Sequence, residues 1–301
     1  RRSVEDLAKN IRSIPFDKSI LLSDPNAGCN FDLTTLQYAS GTPLTNIPAD
    51  EIYFLRINLF VRLWRKLGWS IEETDRTLTT FIPRSTPFDN KPENLEQIPL
   101  KTALFQLAHF KVLNEKLQLG TQGRLRLLPL WSNIDTTGKK PLYEELFLTR
   151  SVLRYSPEFD NPFGEYLNDK NADLENHLLV LQRALGLTAE DIGRIRSDVN
   201  IDGNNARLSL DNVSHLYRYS VLAKAMNLSV RELITLKQLS GINPFTLLDS
   251  KPLQSFTHDG PHPLHQTLEF IKIVDEIRDS GLSIDEINYY LRHEDPTGKF
   301  R

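Results

Sequence analysis

Asp198, Asn200 and Asp202 occupy alternate positions and are followed directly by Gly203, a pattern with which a chain can hold a calcium ion. Oxygen ligands at alternate positions converge when a loop curls around a hard cation, and a sixth-position glycine permits the sharp turn. Two residues depart from that pattern. The eighth position is Asn205 rather than an apolar residue, and the twelfth is Ser209 rather than a bidentate glutamate. A polar turn ending in a helix cap at Ser209 explains the same residues, so no metal or other cofactor is expected. His258, His262 and His265 cluster around Pro261 and Pro263. Imidazoles at such spacing can bind zinc, but no cysteine supports them, and a solvated loop is the expectation. His293 reads as the end of a helix, where a histidine suits the negative terminus.

Two pairs of adjacent acids, Glu72-Glu73 and Glu144-Glu145, fall in helical patterns. Neighbours on a helix point away from each other, so these are poor acid–base couples. The chain has no nucleophile elbow, phosphate-cradling glycine loop or zinc-protease helix. The expectation is a protein without catalysis.

The elements that would position these groups are announced by a phrase that occurs four times. Its copies centre on Gly68, Ser70 and Glu73; on Gly186, Thr188 and Asp191; on Asn227, Ser229 and Glu232; and on Gly281, Ser283 and Glu286. Each reads Gly or Asn, a large apolar residue, Ser or Thr, two free positions, then an acid. Gly or Asn accepts the left-handed backbone just past a helix C-terminus. The hydroxyl and the acid form a capping box for the next helix. The phrase therefore predicts a helix–turn–helix joint with almost no loop. Gly120-Thr121-Gln122-Gly123-Arg124 reads as a fifth, decayed copy, with arginine where the acid belongs.

Between the joints, apolar residues recur every three or four positions. Helices are predicted over Glu51–Leu67, Ile71–Phe81, 99–119, 125–131, 141–154, 174–185, 189–195, 209–226, 230–239, 264–280 and 284–292. In the first, Phe60, Leu63, Trp64 and Leu67 share one face; Asn58, Arg62, Arg65 and Lys66 share the other. In the helix from Pro99 the predicted stripe is Leu104, Leu107, Ala108 and Val112. Residues 1–47 read as a loop-rich N-terminal segment, with a short helix near Val4–Ile11 and a short element at Asp32–Tyr38. Residues 48–301 read as an α-helical domain, with a sub-boundary near the polar loop 155–172. The fold class expected is all-α, an irregular array of helical hairpins joined by tight turns. Trp64, Trp69 and Trp131 are the expected packing anchors.

The 301 residues carry a net charge of −3, which argues against a nucleic-acid footprint. No apolar run approaches the length that crosses a bilayer. The single Cys29 excludes an internal disulfide and a cysteine-rich zinc site. The chain lacks an initiator Met and opens on a helix-entrance pattern, so it reads as a piece of a longer protein.

The run from Tyr53 to Ser70, containing Arg62-Leu63-Trp64-Arg65-Lys66-Leu67-Gly68-Trp69-Ser70, resembles a segment of the TcA subunits of Tc insecticidal toxin complexes. These are also called virulence plasmid A proteins. Leu130-Trp131-Ser132-Asn133-Ile134-Asp135-Thr136 and Pro141-Leu142-Tyr143-Glu144-Glu145-Leu146-Phe147-Leu148 are similar to later segments of that family, in the same order. Residues 181–192, 208–245 and 268–293 resemble its helical joints; residues 1–47 match weakly. The resemblance implies a piece of an α-helical shell around a translocation channel. It implies a homopentamer in the full-length protein, partner subunits that carry a toxic enzyme, a host cell surface met by other domains, and a secreted product. No residues here resemble the channel, receptor-binding or neuraminidase-like parts. A helical scaffold that grips a protein or peptide is the alternative reading.

Overall fold

A computed structural model describes residues 20–23, 35–38, 47–48, 51–83, 99–249 apart from 119, 139, 155, 162–163 and 165–171, residue 253, and 262–300 apart from 296–297. The chain separates into two compact units, residues 1–68 with 88–94 and residues 69–87 with 95–301. The division falls at Gly68, one helix later than the 47/48 boundary read from sequence, and the loop 155–172 lies inside the second unit.

In the first unit, the segment expected to be loop-rich carries a small antiparallel sheet, β1 (Ile20–Ser23), β2 (Thr35–Tyr38) and β3 (Ile47–Pro48), in the order β1-β2-β3. Tyr38 lies in register with Ile20 on one side and Ile47 on the other. These are strand-favouring residue types, but runs of four residues or fewer are too short to show an alternating pattern. The predicted helix at Val4–Ile11 lies outside the described residues. Helix α1 (Glu51–Leu67) follows the sheet. Its Phe60, Leu63, Trp64 and Leu67 are half-buried, while Asn58, Arg62, Arg65 and Lys66 are exposed.

The second unit is helical among its described residues. Its helices are α2 (Ile71–Phe81), α3 (Pro99–Lys116), α4 (Thr121–Arg126), α5 (Leu142–Phe147), α6 (Arg150–Leu153), α7 (Leu178–Leu185), α8 (Ala189–Asp198), α9 (Leu210–Ala225), α10 (Val230–Ser240), α11 (Pro263–Ser280) and α12 (Ile284–Arg292). Short 3-10 turns at Leu128–Leu130, Pro157–Phe159, Leu174–His177 and Gly203–Asn205 link some of them. The all-α reading holds, with the small sheet and an isolated antiparallel bridge between Asp173 and Arg207 as exceptions. Three predicted helices are broken by local geometry. Residues 125–131 form no helix of their own, because 125–126 end α4 and Leu128–Leu130, with Pro129 inside, is a 3-10 turn. Residues 141–154 divide at Leu148 and Thr149, and the first turn of 174–185 is a 3-10 turn.

The four joints share one geometry. Gly68, Gly186, Asn227 and Gly281 have φ of 67°, 64°, 49° and 73°. Glu73, Asp191, Glu232 and Glu286 each donate a backbone N–H to the hydroxyl three residues earlier, at 3.1, 3.0, 3.2 and 3.2 Å. Their carboxylates accept the N–H of Ser70, Thr188, Ser229 and Ser283 in return, at 2.8, 3.0, 2.8 and 2.7 Å. The supposed fifth copy is built differently. Gln118 takes the left-handed conformation, at φ 51°, and Gly120 is the N-cap without a side-chain cap bond, so Thr121 is already inside the helix.

The core of the second unit centres on Trp131, which is 1% exposed. Its ring lies 5.9 Å from Phe110 on α3 and 6.4 Å from Phe81 on α2. Its indole N–H donates to the Thr267 hydroxyl on α11 at 3.0 Å, and that hydroxyl donates to the Pro244 carbonyl at 2.8 Å. Trp69 is only half-buried, edge-on to Phe110 at 6.1 Å. Of the three tryptophans, Trp131 alone is fully enclosed, so the anchoring expected of Trp64 and Trp69 is smaller. On α3 the expected stripe is displaced. Leu104, Ala108 and Val112 are exposed, and the buried face runs through Ala103, Gln106, Leu107, His109, Phe110 and Leu113. Polar side chains within that face obscured its periodicity.

Replacing Trp131 by Ala should cost about 3–5 kcal/mol, read as a lowered urea midpoint, because the site is walled by rings from two other helices. Gly281→Ala should cost about 1 kcal/mol through left-handed backbone strain alone, since a Cβ there meets no atom within 4 Å. Gly281→Asn should cost less, and equal losses in the two variants would contradict the backbone explanation.

Candidate functional site

Asp198 is the last residue of α8, so its carboxylate projects where α9 and α10 pass the helix end. It accepts hydrogen bonds from the Tyr219 hydroxyl on α9 and from Lys237 Nζ on α10, and Gln238 Nε2 lies 3.4 Å away. Lys237 Nζ is also 3.0 Å from the Tyr219 hydroxyl and 5.6 Å from its ring centre. Burial and the bond to Asp198 push the Tyr219 phenol well above its ordinary pKa, so it stays a donor at neutral pH. The first oxygen group of the supposed calcium loop is therefore committed to an ammonium and a phenol.

The rest of the loop closes on itself. Asn200 is left-handed, at φ 56°. Asp202 is exposed at the start of the turn Gly203–Asn205. Ser209 caps α9 through the Asn212 N–H at 3.2 Å. The Asn212 amide donates to the carbonyls of Asn205 and Arg207 at 2.7 and 2.8 Å, which cross-links the loop without an ion. An open depression of about 560 Å³ lies here, lined by Asn200, Asn205, Arg207, Ser209, Asp211 and His215 among others.

Behind it sits a group that sequence reading passed over. Arg218, midway along α9, is fully buried. Its Nε donates to the Pro129 carbonyl at 2.8 Å, and its Nη2 to the Ser132 carbonyl at 2.9 Å and to Asn133 Oδ1 at 3.0 Å. Its Nη1 lies 3.1 Å from His215 Nδ1. No carboxylate forms an ion pair with it among the described residues. Burial lowers its pKa to about 10, so it remains charged at neutral pH, solvated by carbonyls that pin the 129–133 segment to α9. Burial first, and the Arg218 charge second, hold His215 below its usual range, against the opposing pull of Asp211. The only sequence trace of this hub is a cation among the apolar positions of a helix.

The other candidates separate. Glu73 takes Arg124 Nη1 at 2.9 Å in a buried ion pair, and that guanidinium lies 4.3 Å over the Trp69 ring. The arginine that spoils the fifth phrase thus completes the first joint. Glu72 instead lies 3.7 Å from Arg76, and Glu145 lies 3.1 Å from Arg126, so neither acid pair acts together. His258 lies outside the described residues. His262 is the buried N-cap residue of α11, 4.9 Å from the Phe105 ring, and His265 lies 3.6 Å from Glu269. His293 caps α12 in the left-handed conformation, at φ 59°. Among the described residues no three His, Cys, Asp or Glu stand together to hold a metal, and no helix is long and apolar enough to cross a membrane.

No family model and no curated protein matches the chain. Its fold is similar to part of the cryo-EM structure of Morganella morganii TcdA4, a Tc toxin, with a TM-score of 0.53 and 13% sequence identity. The likeness covers 88% of this chain and 10% of that one, so the chain spans about a tenth of its neighbour's length.

Because His215 is held neutral in the fold, the unfolded chain binds more protons as pH falls below about 6.5, and stability should decline below that pH. His215→Gln should flatten the decline. A midpoint-versus-pH profile identical in the two proteins would remove His215 from the account.

Proposed function

We propose that this chain is a non-catalytic wall segment of a Tc-type toxin subunit, part of the helical shell around a translocation channel. The observation that carries the reading is the likeness to TcdA4 over 88% of the chain, a fold-level match. The sequence resemblance to TcA subunits points the same way. The chemistry is consistent with it. Asp198, Glu73 and Arg218 spend their charge on holding helix ends and a buried segment, and the depression nearby is open, with Asp211, Arg207 and His215 among its lining residues. In this reading the full-length subunit assembles as a pentamer, is secreted, and works with partner subunits that carry the toxic enzyme; receptor contact belongs to other domains.

Two experiments test it. The isolated chain, added to anionic lipid vesicles, should release no trapped dye; release would assign it membrane activity and overturn the wall reading. In the full-length protein that carries this segment, Arg62→Glu with Arg65→Glu should shift folding stability by less than about 0.5 kcal/mol, because both side chains are exposed. If that face meets a neighbouring subunit, the double variant should lower the yield of assembled particles in electron micrographs. Unchanged yield removes that face from the interface, and a full-length protein that never forms a multi-subunit particle defeats the proposal as a whole.

A further inference from the structure

The joints after α7 and α9 are covered in the same manner. The end of α7 presents the Leu185 carbonyl, and Lys224 in the last turn of α9 donates to it at 2.9 Å, with Ser220 adding a bond of 2.7 Å. The end of α9 presents the Met226 carbonyl, and Arg278 in the last turn of α11 donates to it. Each time the cation comes from the first helix of the next hairpin. It satisfies an orphan carbonyl and complements the negative end of the helix dipole. The second helices are joined in the same progression. Lys237 on α10 pairs with Asp198 on α8, and Arg231 on α10 grips Asp285 on α12 at 2.6 and 3.1 Å. Under this cover the apolar residue of the second joint, Leu187, is 6% exposed, and that of the third, Leu228, is half-buried.

At the fourth joint the progression stops. Among the described residues, no side chain from another hairpin reaches the end of α11, and the Ile277 carbonyl is taken by Ser280 of the same turn at 2.7 Å. Leu282, the apolar residue of that joint, is 45% exposed, and Tyr290 and Leu291 on α12 are each 67% exposed.

We propose that this face of α11 and α12 is the docking surface for one further helical hairpin of the same construction, seated as α11–α12 is seated on α9–α10. The partner would carry Lys or Arg in the last turn of its first helix, aimed at the carbonyls ending α11, and apolar side chains over Leu282, Tyr290 and Leu291. This face continues the stack in which the two preceding joints are covered. The proposed docking rests on the repeating geometry and stands whether or not the segment belongs to a toxin subunit.

The test extends the whole chain after Arg301 with a duplicate of residues 241–293, which brings its own connector and hairpin. Hydrogen exchange is then measured at the amides of residues 279–292 in the first copy. Exchange there should slow by about tenfold or more, and Leu282→Asp with Leu291→Asp in the first copy should abolish the slowing. Arg278→Ala in the added copy should reduce it. Unchanged exchange in the first copy overturns the proposal. So does an added copy that stays unprotected, because such a hairpin needs only that face to fold on. Sedimentation of the unextended chain supplies the remaining arm: a concentration-dependent dimer abolished by Leu291→Asp would give the face to a second copy of the chain and overturn the proposed occupant.

Discussion

The architecture rests on a constraint at helix ends. A helix leaves its last carbonyls and the first N–H groups of its successor without internal partners, and reversing the chain within three residues brings both sets together. One left-handed residue turns the chain, and a hydroxyl with an acid three positions on satisfies the new N-terminus. Because the joint has almost no freedom, the two helices of each hairpin are fixed before they pack. What remains is to satisfy the old C-terminus, and at two joints the following hairpin does so with Lys224 or Arg278. Local capping and long-range stacking are thus one process, which is how repeat-like helical proteins gain stability from nearest neighbours.

The buried charges described above are directed at the fold's own groups. Arg218 is buried with no carboxylate ion-paired to it among the described residues and is solvated by carbonyls, which spares the fold a desolvated anion while tying down the segment around Trp131. Arg124 neutralises Glu73 at the first joint and stacks on Trp69. Lys237 and Tyr219 together occupy Asp198. Each of these side chains is thereby committed to another part of the fold.

The four phrases, the helices they join and the all-α class were legible in the sequence, because capping chemistry is local. So were the amphipathic face of α1 and the cap at Ser209. The weak points were those where a residue's meaning depends on a distant partner. The stripe expected on α3 ran through Leu104, Leu107, Ala108 and Val112, yet Gln106 and His109 lie on the helix's buried face. The arginine at 124 read as a defect, yet its acid stands in another joint. The short strands around Tyr38 pair with segments distant along the chain, and no local period announces them.

By itself, then, the sequence determined where helices meet at the four joints, since a left-handed residue and a capping box act within half a dozen positions. Only the tertiary structure decided which carboxylate met which cation, that Trp131 rather than Trp64 is enclosed, and that the alternating oxygens at Asp198 serve a lysine and a tyrosine. Those outcomes depend on contacts between residues tens of positions apart, and burial and electrostatics act through space, where the order of residues along the chain carries no record of them.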